Sequence, residues 1–501
     1  MSEPAGKTAL KPVYGWLPLV YFVIQVIVGV WLAFWLLYNH QPQTGDDIEH
    51  LHSAWLVHEG KIPYIDFFQH HNPLTWYLAA PFVALLINQF MIFSIFNIFS
   101  ILAVCLMVYF QCRIMLVNGG KKISALFLAA CVVSSYSVLW ALNFRPDTFM
   151  YLCLFAGILC LCRYVREKAL WLLVMSFLCF FLAFMFTQKV LLNLIVPGSF
   201  VLYWLFKGSI GGKDFLQACI LPVLLFAVFA AYLYYNDALS VYWYANFPFN
   251  ARIPDIFEHN RITFPPREYF EFYIFVPLGS IAAAYFVWRG NAVERMISFM
   301  FVEEALLRMF YFSAFLHYSI FWLILAMMLT VMFLDKIPVG RKVWAVAGII
   351  YLLFSAYYNY EMTYKKELPN HKYQNGHEYA FYNLTPCDYA LNGYYSVYNL
   401  KAKDAGYYSV LLGQIDVLGE KTGIRPRDNL NELIRTQRPK IISAGIYWDT
   451  YWEQRGKKIP AHRLDTALID LYYEYSGIGD IYILKPEYQK HDCRYNGKTW
   501  E

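Results

Sequence analysis

The feature that most constrains this chain is a succession of long apolar runs separated by short polar connections. The first run, residues 17–38, has 22 residues and is interrupted only by Gln25. At about 1.5 Å of rise per residue, a helix of this length crosses the ~30 Å hydrocarbon core of a bilayer. The sequence therefore predicts a chain that folds in lipid, and a hydrophobic content of 59% with only 15% charged residues agrees with this prediction.

The first run is interpreted as a retained span, because a cleavable signal peptide has a shorter apolar segment and a cleavage site of small residues. Ten further runs bring the predicted number of spans to eleven. These runs cover residues 90–117, 123–142, 148–164, 170–186, 190–206, 215–235, 273–288, 296–312, 318–334 and 343–358.

The distribution of basic residues predicts the orientation of these spans. With eleven spans, six basic segments all fall on one side, which the positive-inside rule identifies as the cytoplasm. The basic residues of these segments are Lys7, Lys11, Arg113, Lys121, Lys122, Arg163, Arg166, Lys168, Lys207, Lys213, Arg289, Arg295, Lys336, Arg341 and Lys342. The N-terminus is then cytoplasmic, and the loop 39–89, the loop 236–272 and the tail 359–501 lie on the outer side.

Two outer segments are predicted to have secondary structure of their own. The apolar segment 74–87 is too short to span comfortably and is predicted to form a helix at the outer interface. From about residue 364 the composition becomes that of a soluble protein, with a helix predicted at 430–435 and strands at 440–444 and 480–484. The fold class is thus a polytopic α-helical membrane protein, with a membrane domain over 1–363 and a small outer α/β domain over 364–501.

The cysteines agree with this topology. Eight of the ten lie in or beside predicted spans, where they are small apolar residues rather than metal ligands. Only Cys387 and Cys493 lie in the outer tail. An oxidising outer compartment would allow these two to pair, although the sequence alone does not show that they do.

The first outer loop, residues 39–89, concentrates ionisable and aromatic side chains. Half of the twelve histidines lie between His40 and His71. The candidate functional residues of this loop are, in order, Asp46, Asp47, Glu49, His50, His70 and His71. One interpretation is a merely solvated polar loop. The interleaved Trp, Tyr and Phe residues favour the other, a folded surface that binds a sugar or a lipid phosphate.

Further candidates lie at the outer ends of later spans. Arg145-Pro146-Asp147 ends the connection before the fourth span, and Lys189 follows Thr187-Gln188 between the fifth and sixth spans. Each cation has a simpler interpretation, as an interface anchor or as a snorkelling lysine. However, basic residues are not expected on the outer side, which favours a function.

The ninth predicted span carries Glu303, Glu304 and Arg308, and His317 lies just before the next span. Ionisable groups within a span are costly and normally face a protein interior or a water-filled cavity. Glu304 and Arg308 are four residues apart, so a structural ion pair on one helix face is one interpretation. A contact from Arg308 to a phosphate is the other.

The stretch from Asp46 to Leu74, with the Arg145-Pro146-Asp147 and Thr187-Gln188-Lys189 junctions, resembles bacterial GT-C glycosyltransferases. These are relatives of the protein O-mannosyltransferases and the lipid A aminoarabinose transferases. The resemblance covers residues 15–360 and extends only loosely to the tail. The Asp-Glu pair usual in the family is Asp46-Asp47 here, so Asp46 matches the family's essential carboxylate and Asp47 replaces the Glu.

The resemblance implies an inverting transfer of a sugar from a polyprenyl-phosphate donor to an acceptor on the outer face. Asp46 is then expected to be the general base, with Asp47 or Asp147 assisting it. Arg145, Lys189 and Arg308 are expected to contact the donor phosphate. The expected sugar and acceptor contacts are Glu49, His50, His70, His71 and His317.

The expected partners are a polyprenyl-phosphate-linked sugar, membrane lipid, and a glycan, lipid or protein acceptor such as lipopolysaccharide or O-antigen. The expected location is the bacterial inner membrane with a periplasmic tail. A net charge of +5 gives no indication of a nucleic-acid partner. No cofactor is indicated, and a divalent metal has no clear motif, since adjacent histidines do not make a metal site by themselves.

A transporter or flippase of lipid-linked saccharides is the alternative function. Against it, most candidate residues lie at the outer ends of spans rather than at the bilayer midplane, and no paired Gly/Pro-interrupted spans are present. A non-catalytic membrane scaffold or sensor with an outer binding domain is a third interpretation.

Overall fold

The structure, a computed structural model, describes most of the helical part of the chain and portions of the tail. The described residues are 45–86, 92–135, 144–252, 269–310, 319–337, 341–361, 379–380, 382–392, 401–405, 407, 429–443, 465–478, 481–489, 493–495 and 498–500.

Fourteen α-helices precede the tail within the described residues. The two helices of the first outer loop are α1 (Gly45–His58) and α2 (Leu74–Leu86). The helices of the first half of the bundle are α3 (Ile92–Val117), α4 (Lys122–Val133), α5 (Pro146–Glu167), α6 (Leu170–Phe186), α7 (Val190–Asn193) and α8 (Ile195–Phe206). Those of the second half are α9 (Gly212–Tyr235), α10 (Leu239–Tyr244), α11 (Phe270–Arg289), α12 (Ala292–Phe310), α13 (Ile320–Lys336) and α14 (Arg341–Tyr360).

Every predicted span that falls within the described residues contains a helix. The first predicted span, 17–38, lies outside them, as does the end of the span 123–142. The run 190–206 is not one continuous helix, because a turn at Leu194 separates α7 from α8. Four described helices are long and apolar enough to cross a membrane, namely Ile95–Val117, Pro146–Glu167, Gly212–Tyr235 and Phe270–Arg289. The total of eleven spans stays a prediction.

Small residues allow the bundle helices to approach closely. A Cβ built on Gly279 of α11 would lie only 2.8 Å from Cα of Ala326 on α13. Such contacts are the usual means of helix association in lipid, where apolar burial by itself gives little driving force. α13 lies at the centre of the bundle, since its residues from Ile320 to Met332 are buried.

α2 coincides with the helix predicted at 74–87 and has two different faces. Trp76, Ala79 and Val83 are buried against α1, while Leu78 and Leu85 are more than half exposed. A short helix whose exposed face is also apolar is typical of a helix that lies against lipid.

The described tail contains a five-stranded mixed sheet in the order β2-β1-β3-β5-β4. Its strands are β1 (Tyr389–Asn392), β2 (Lys403–Asp404), β3 (Ile441–Ser443), β4 (Tyr473–Tyr475) and β5 (Ile481–Leu484). β1 pairs in parallel with β2 and β3, whereas β5 pairs antiparallel with β3 and β4. Two helices, Leu430–Gln437 and Thr466–Tyr472, accompany the sheet, and β6 (Cys493–Tyr495) pairs with β7 (Lys498–Trp500). The helix and both strands predicted in the tail are therefore present.

The tail packs on the first outer loop. Leu391, Ile442 and Leu484 of the sheet belong to the same buried apolar cluster as Leu51 and Trp55 of α1. Cys387 is disulfide-bonded, whereas the eight cysteines of the helical part are free. The tail and the first outer loop therefore lie on the same side of the helical bundle.

Candidate active site

Asp46 and Asp47 are adjacent in the first turn of α1, but their surroundings differ. Asp46 Oδ2 forms an ion pair with Nη2 of Arg145, and its side chain remains 35% exposed. Asp47 is 2% exposed, and its Oδ1 accepts a 2.6 Å hydrogen bond from the backbone N–H of Phe144. Asp47 therefore fixes the backbone immediately before Arg145, while Asp46 presents its carboxylate to the outside.

The start of α5 places a second carboxylate beside this ion pair. Arg145 is the extended residue before the helix, and Pro146 occupies the first helical position, where its missing N–H costs nothing. Asp147 follows in the first turn, where the helix dipole favours a negative charge. Its Oδ1 lies 3.9 Å from Nζ of Lys189, and both side chains are 13% exposed.

The two pairs form one group of alternating charges. Arg145 and Asp147 are two residues apart, so the pair Asp46–Arg145 is next to the pair Asp147–Lys189. The four side chains come from α1, from the start of α5 and from the turn between α6 and α7. The structure thus brings together the carboxylates and cations that the sequence analysis selected from separate segments.

Glu49 adds a third acidic group, and its pKa lies close to neutral pH. Burial raises its pKa from 4.5 to about 7, although a hydrogen bond from Gln69 and the charge of Lys189 act in the opposite direction. Its Oε1 is fully enclosed and has no hydrogen-bond partner among the residues that the structure describes. Gln69 is itself fixed, because its Nε2 donates a 2.8 Å hydrogen bond to Ser53 Oγ.

Three buried imidazoles lie against these charges. The ring centroids of His50 and His71 are 5.4 Å apart, and those of His70 and His71 are 4.2 Å apart. Burial lowers the pKa of His50 to about 3; the nearby Asp147 raises it and the charge of Lys189 lowers it further. Burial and Lys189 also lower the pKa of His70. His50 and His70 are therefore neutral at physiological pH.

Hydrogen bonds to the backbone hold the segment His70–Asn72 in place. The carbonyl oxygen of His70 accepts from Gln188 Nε2 at 3.0 Å and from Asn250 Nδ2 at 2.7 Å. The carbonyl oxygen of His71 accepts from Tyr64 Oη at 2.6 Å, and Asn72 Nδ2 donates to the carbonyl of Phe184. The first outer loop is thereby fixed to the end of α6 and to Asn250, which follows the π-helical turn Ala245–Phe249 after α10.

Comparisons with known proteins bear on the fold. No family model matches this chain, and no curated protein matches it by sequence. Among solved structures, ArnT from Cupriavidus metallidurans bound to undecaprenyl phosphate superposes with a TM-score of 0.53 at 13% identity, over 87% of this chain and 95% of ArnT. The chain has the fold of GT-C glycosyltransferases. The apo oligosaccharyltransferase of Archaeoglobus fulgidus also matches, with a TM-score of 0.50 and 10% identity, over 92% of this chain and 73% of that enzyme.

In this GT-C fold, Arg308 is directed to the same end of the bundle as Lys189. Asn193, one helical turn after Lys189, donates a hydrogen bond to Glu304 of α12. Arg308, one turn further along α12, packs its guanidinium 5.6 Å from the centroid of the Trp322 ring. Within the described residues, Glu304 is thus hydrogen-bonded to Asn193 and Arg308 stacks on an aromatic ring, in place of a direct ion pair between the two. His317 lies outside the described residues.

The tail of this chain packs over α1. His52, whose side chain is fully buried, places Nε2 2.9 Å from Asp404 Oδ2 of β2. The backbone N–H of Phe68 donates to the carbonyl of Tyr407 at 3.0 Å, and Tyr407 Oη donates to the carbonyl of Tyr64 at 2.5 Å. Among the residues that the structure describes, no three His, Cys, Asp or Glu side chains are arranged to hold a metal ion.

Four residues at this site were not among the site residues that the sequence analysis assigned. These residues hold or contact the candidate residues; they are Gln69, Asn72 and Asn250, whose contacts are given above, and Trp76. The Nε1–H of Trp76 donates to Nδ1 of His50 at 3.3 Å. The only signal available from the sequence was the occurrence of these side chains beside ionisable residues in the outer loops.

Proposed function

We propose that this protein is an inverting glycosyltransferase that moves a sugar from a polyprenyl-phosphate donor to an acceptor in the cell envelope. The observation that carries the proposal is the group of alternating charges formed by Asp46, Arg145, Asp147 and Lys189 at one end of an apolar bundle. Such a group offers a base for an attacking hydroxyl beside cations for a departing phosphate.

The two cations are suited to the leaving group. When the glycosidic C–O bond of the donor breaks, the electron pair departs with the lipid phosphate, whose negative charge must be stabilised. Arg145 has planar geometry that suits two phosphate oxygens, whereas Lys189 contributes a compact charge. Arg308 is a third candidate for this contact. The crystal structure of ArnT with undecaprenyl phosphate supports a lipid phosphate as the donor's anionic group.

Asp46 is the proposed general base. An acceptor hydroxyl attacks the anomeric carbon, and Asp46 takes the hydroxyl proton as the new C–O bond forms. Its exposure distinguishes it from the enclosed Asp47, because an attacking hydroxyl has to reach the carboxylate. Asp147 assists through Lys189, which it helps to position by their 3.9 Å pair. A single displacement inverts the anomeric configuration.

Glu49 and the imidazoles of His50, His70 and His71 are the proposed contacts to sugar or acceptor. They lie close to the charged group and offer hydrogen-bond donors and acceptors, which suits hydroxyl groups. The proposed location is the inner membrane of a bacterium, with the tail in the periplasm. The disulfide at Cys387 supports an oxidising compartment for the tail.

Binding of undecaprenyl phosphate to the purified full chain tests the cation site. Lys189→Met and Arg145→Gln are expected to weaken binding by about 10- to 100-fold, because each removes a charge-assisted contact. Lys61→Met is the matched control, since Lys61 lies in the same loop but forms an exposed pair with Asp66 at 4.0 Å. Unchanged binding in both site variants, with normal folding, would contradict the proposal.

Profiling of envelope glycans in cells that carry Asp46→Asn tests the reaction. A transferase is expected to lose one glycan product while the variant protein remains present at wild-type levels. Accumulation of a lipid-linked saccharide on the cytoplasmic face, with transfer intact in membranes opened to both sides, would instead identify a flippase.

A further inference from the structure

The contact between Trp76 and His50 is the feature of this site that the proposed reaction leaves unused. The indole Nε1–H of Trp76 donates to Nδ1 of His50 at 3.3 Å, and the two rings are nearly parallel, 28° apart. Trp76 is completely buried, and His50 is 3% exposed. Both residues are therefore held in one geometry by the packing of α1 on α2.

This contact selects one tautomer of His50. An indole nitrogen can only donate, so Nδ1 of His50 has to be the nitrogen without a proton. In a neutral imidazole the proton then lies on Nε2. Burial lowers the pKa of His50 to about 3, so the ring does not gain a second proton at physiological pH.

The Nε2–H of His50 is available to a ligand. Within the described part of the chain, Nε2 of His50 has no hydrogen-bond partner. It is also absent from the set of unpartnered atoms that are fully enclosed, so a ligand can reach it. A site that fixes an N–H donor without using it internally is prepared for an acceptor oxygen from outside.

The charges that act on His50 indicate what kind of oxygen its Nε2–H would meet. His50 lies within electrostatic range of Lys189 and Asp147, the members of one of the two charge pairs. An uncharged donor beside a lysine complements an anionic oxygen, because it adds a hydrogen bond without adding the repulsion of a second ammonium group.

We propose that His50, fixed as the Nε2–H tautomer by Trp76, donates a hydrogen bond to a phosphate oxygen of the lipid donor. This inference rests on the proposed function and assigns His50 to the phosphate rather than to the sugar or the acceptor. Trp76 is then a positioning residue, which acts on the ligand only through His50.

Binding of undecaprenyl phosphate to the purified full chain tests this assignment, since this lipid carries no sugar. His50→Phe is expected to bind about 10- to 100-fold more weakly, and His50→Gln, whose amide N–H replaces Nε2–H, is expected to bind within about threefold of wild type. Trp76→Phe leaves the two tautomers free to interconvert and is expected to weaken binding about twofold. This last effect should vanish in the His50→Phe background.

Trp55→Phe is the matched control for the loss of a buried indole. Trp55 is 2% exposed in the same cluster but stacks on His52, so its replacement is expected to leave binding unchanged. Nitrogen-15 NMR of labelled histidine gives a readout independent of binding. The wild type should show His50 protonated at Nε2 alone, and Trp76→Phe should show both tautomers.

Several results would overturn the assignment. One is wild-type affinity for undecaprenyl phosphate in His50→Phe, which would move His50 to the sugar or the acceptor if transfer is lost. Another is a proton on Nδ1 in the wild type, which excludes the tautomer even if the variants fail to fold. A wild-type protein that does not bind undecaprenyl phosphate at all would instead refute the proposed function.

Discussion

Separate substitutions of the adjacent residues Asp46 and Asp47 distinguish a catalytic carboxylate from a structural one. Asp46→Asn removes the proposed base, so transfer is expected to fall by about 10²- to 10⁴-fold. The amide oxygen can still accept from Arg145, and the pair is one-third exposed on the Asp46 side. The free energy of unfolding is therefore expected to change by less than about 1 kcal/mol.

Asp47 is expected to behave in the opposite way. Asp47→Ala leaves the backbone N–H of Phe144 without its 2.6 Å acceptor, at a position where both residues are under 5% exposed. An unsatisfied buried donor costs about 1–3 kcal/mol, so this variant is expected to unfold several degrees below the wild type. Asp47→Asn retains an acceptor oxygen and is expected to lose about half as much stability.

The assay combines thermal unfolding of the purified protein with transfer measured per folded molecule. Asp47→Asn is expected to retain transfer within about tenfold of wild type, because it disturbs only the placement of Arg145. The reasoning is wrong if Asp47→Asn is well folded and inactive while Asp46→Asn keeps its activity.

Four further outcomes follow from the described contacts. Glu49→Gln should gain stability relative to wild type as the pH rises from about 5 to 8. The pKa of Glu49 in the folded protein, about 7, lies above its ordinary value of 4.5, so the wild type loses stability in that interval. Melting temperatures of the two proteins that keep the same difference across this pH range would contradict this prediction. Lys189→Met should raise KM for the lipid donor by a larger factor than it lowers kcat. An unchanged KM for the donor in steady-state kinetics would exclude Lys189 from the donor site. A double-mutant cycle with His52→Gln and Asp404→Asn should give a coupling of about 1–3 kcal/mol in chemical unfolding, because the pair is buried; additive effects would show that it does not hold the tail. Reductant should increase proteolysis of the tail by breaking the disulfide at Cys387 while leaving the bundle intact, and an unchanged digestion pattern would argue against a structural role for that bond.

Much of the helical framework was predictable because lipid imposes simple rules. Runs such as 170–186 coincide with a helix, since apolar segments in a bilayer have to satisfy their backbone internally. The start of α5 was likewise signalled by Pro146, which is favoured at a first helical position. The turn at Leu194 was not predicted, because an apolar run carries no local signal for a helix break. The break is set by tertiary contacts such as the hydrogen bond from Asn193 to Glu304.

The site itself was only partly predictable. Asp46 and Asp47 are about 100° apart around α1, so only the packing of that helix determines which of them faces outward. The sequence offered the Arg145–Asp147 junction and Lys189 as separate candidates, and the structure joined them to α1. The locking of His50 by Trp76 and of His52 by Asp404 depends on contacts across 26 and 352 residues, which have no local signal.

The sequence by itself determined that this chain builds an apolar helical bundle, a charged and aromatic segment over 39–89, and a tail with both helix and strand. These features follow from local hydrophobicity, helix termini and strand patterns, which act over a few residues at a time. Only the tertiary structure decided which carboxylate is open, which imidazole keeps an available N–H and which tail residue reaches the first loop. These outcomes depend on how distant helices pack, because burial and electrostatic environment are properties of the assembled fold.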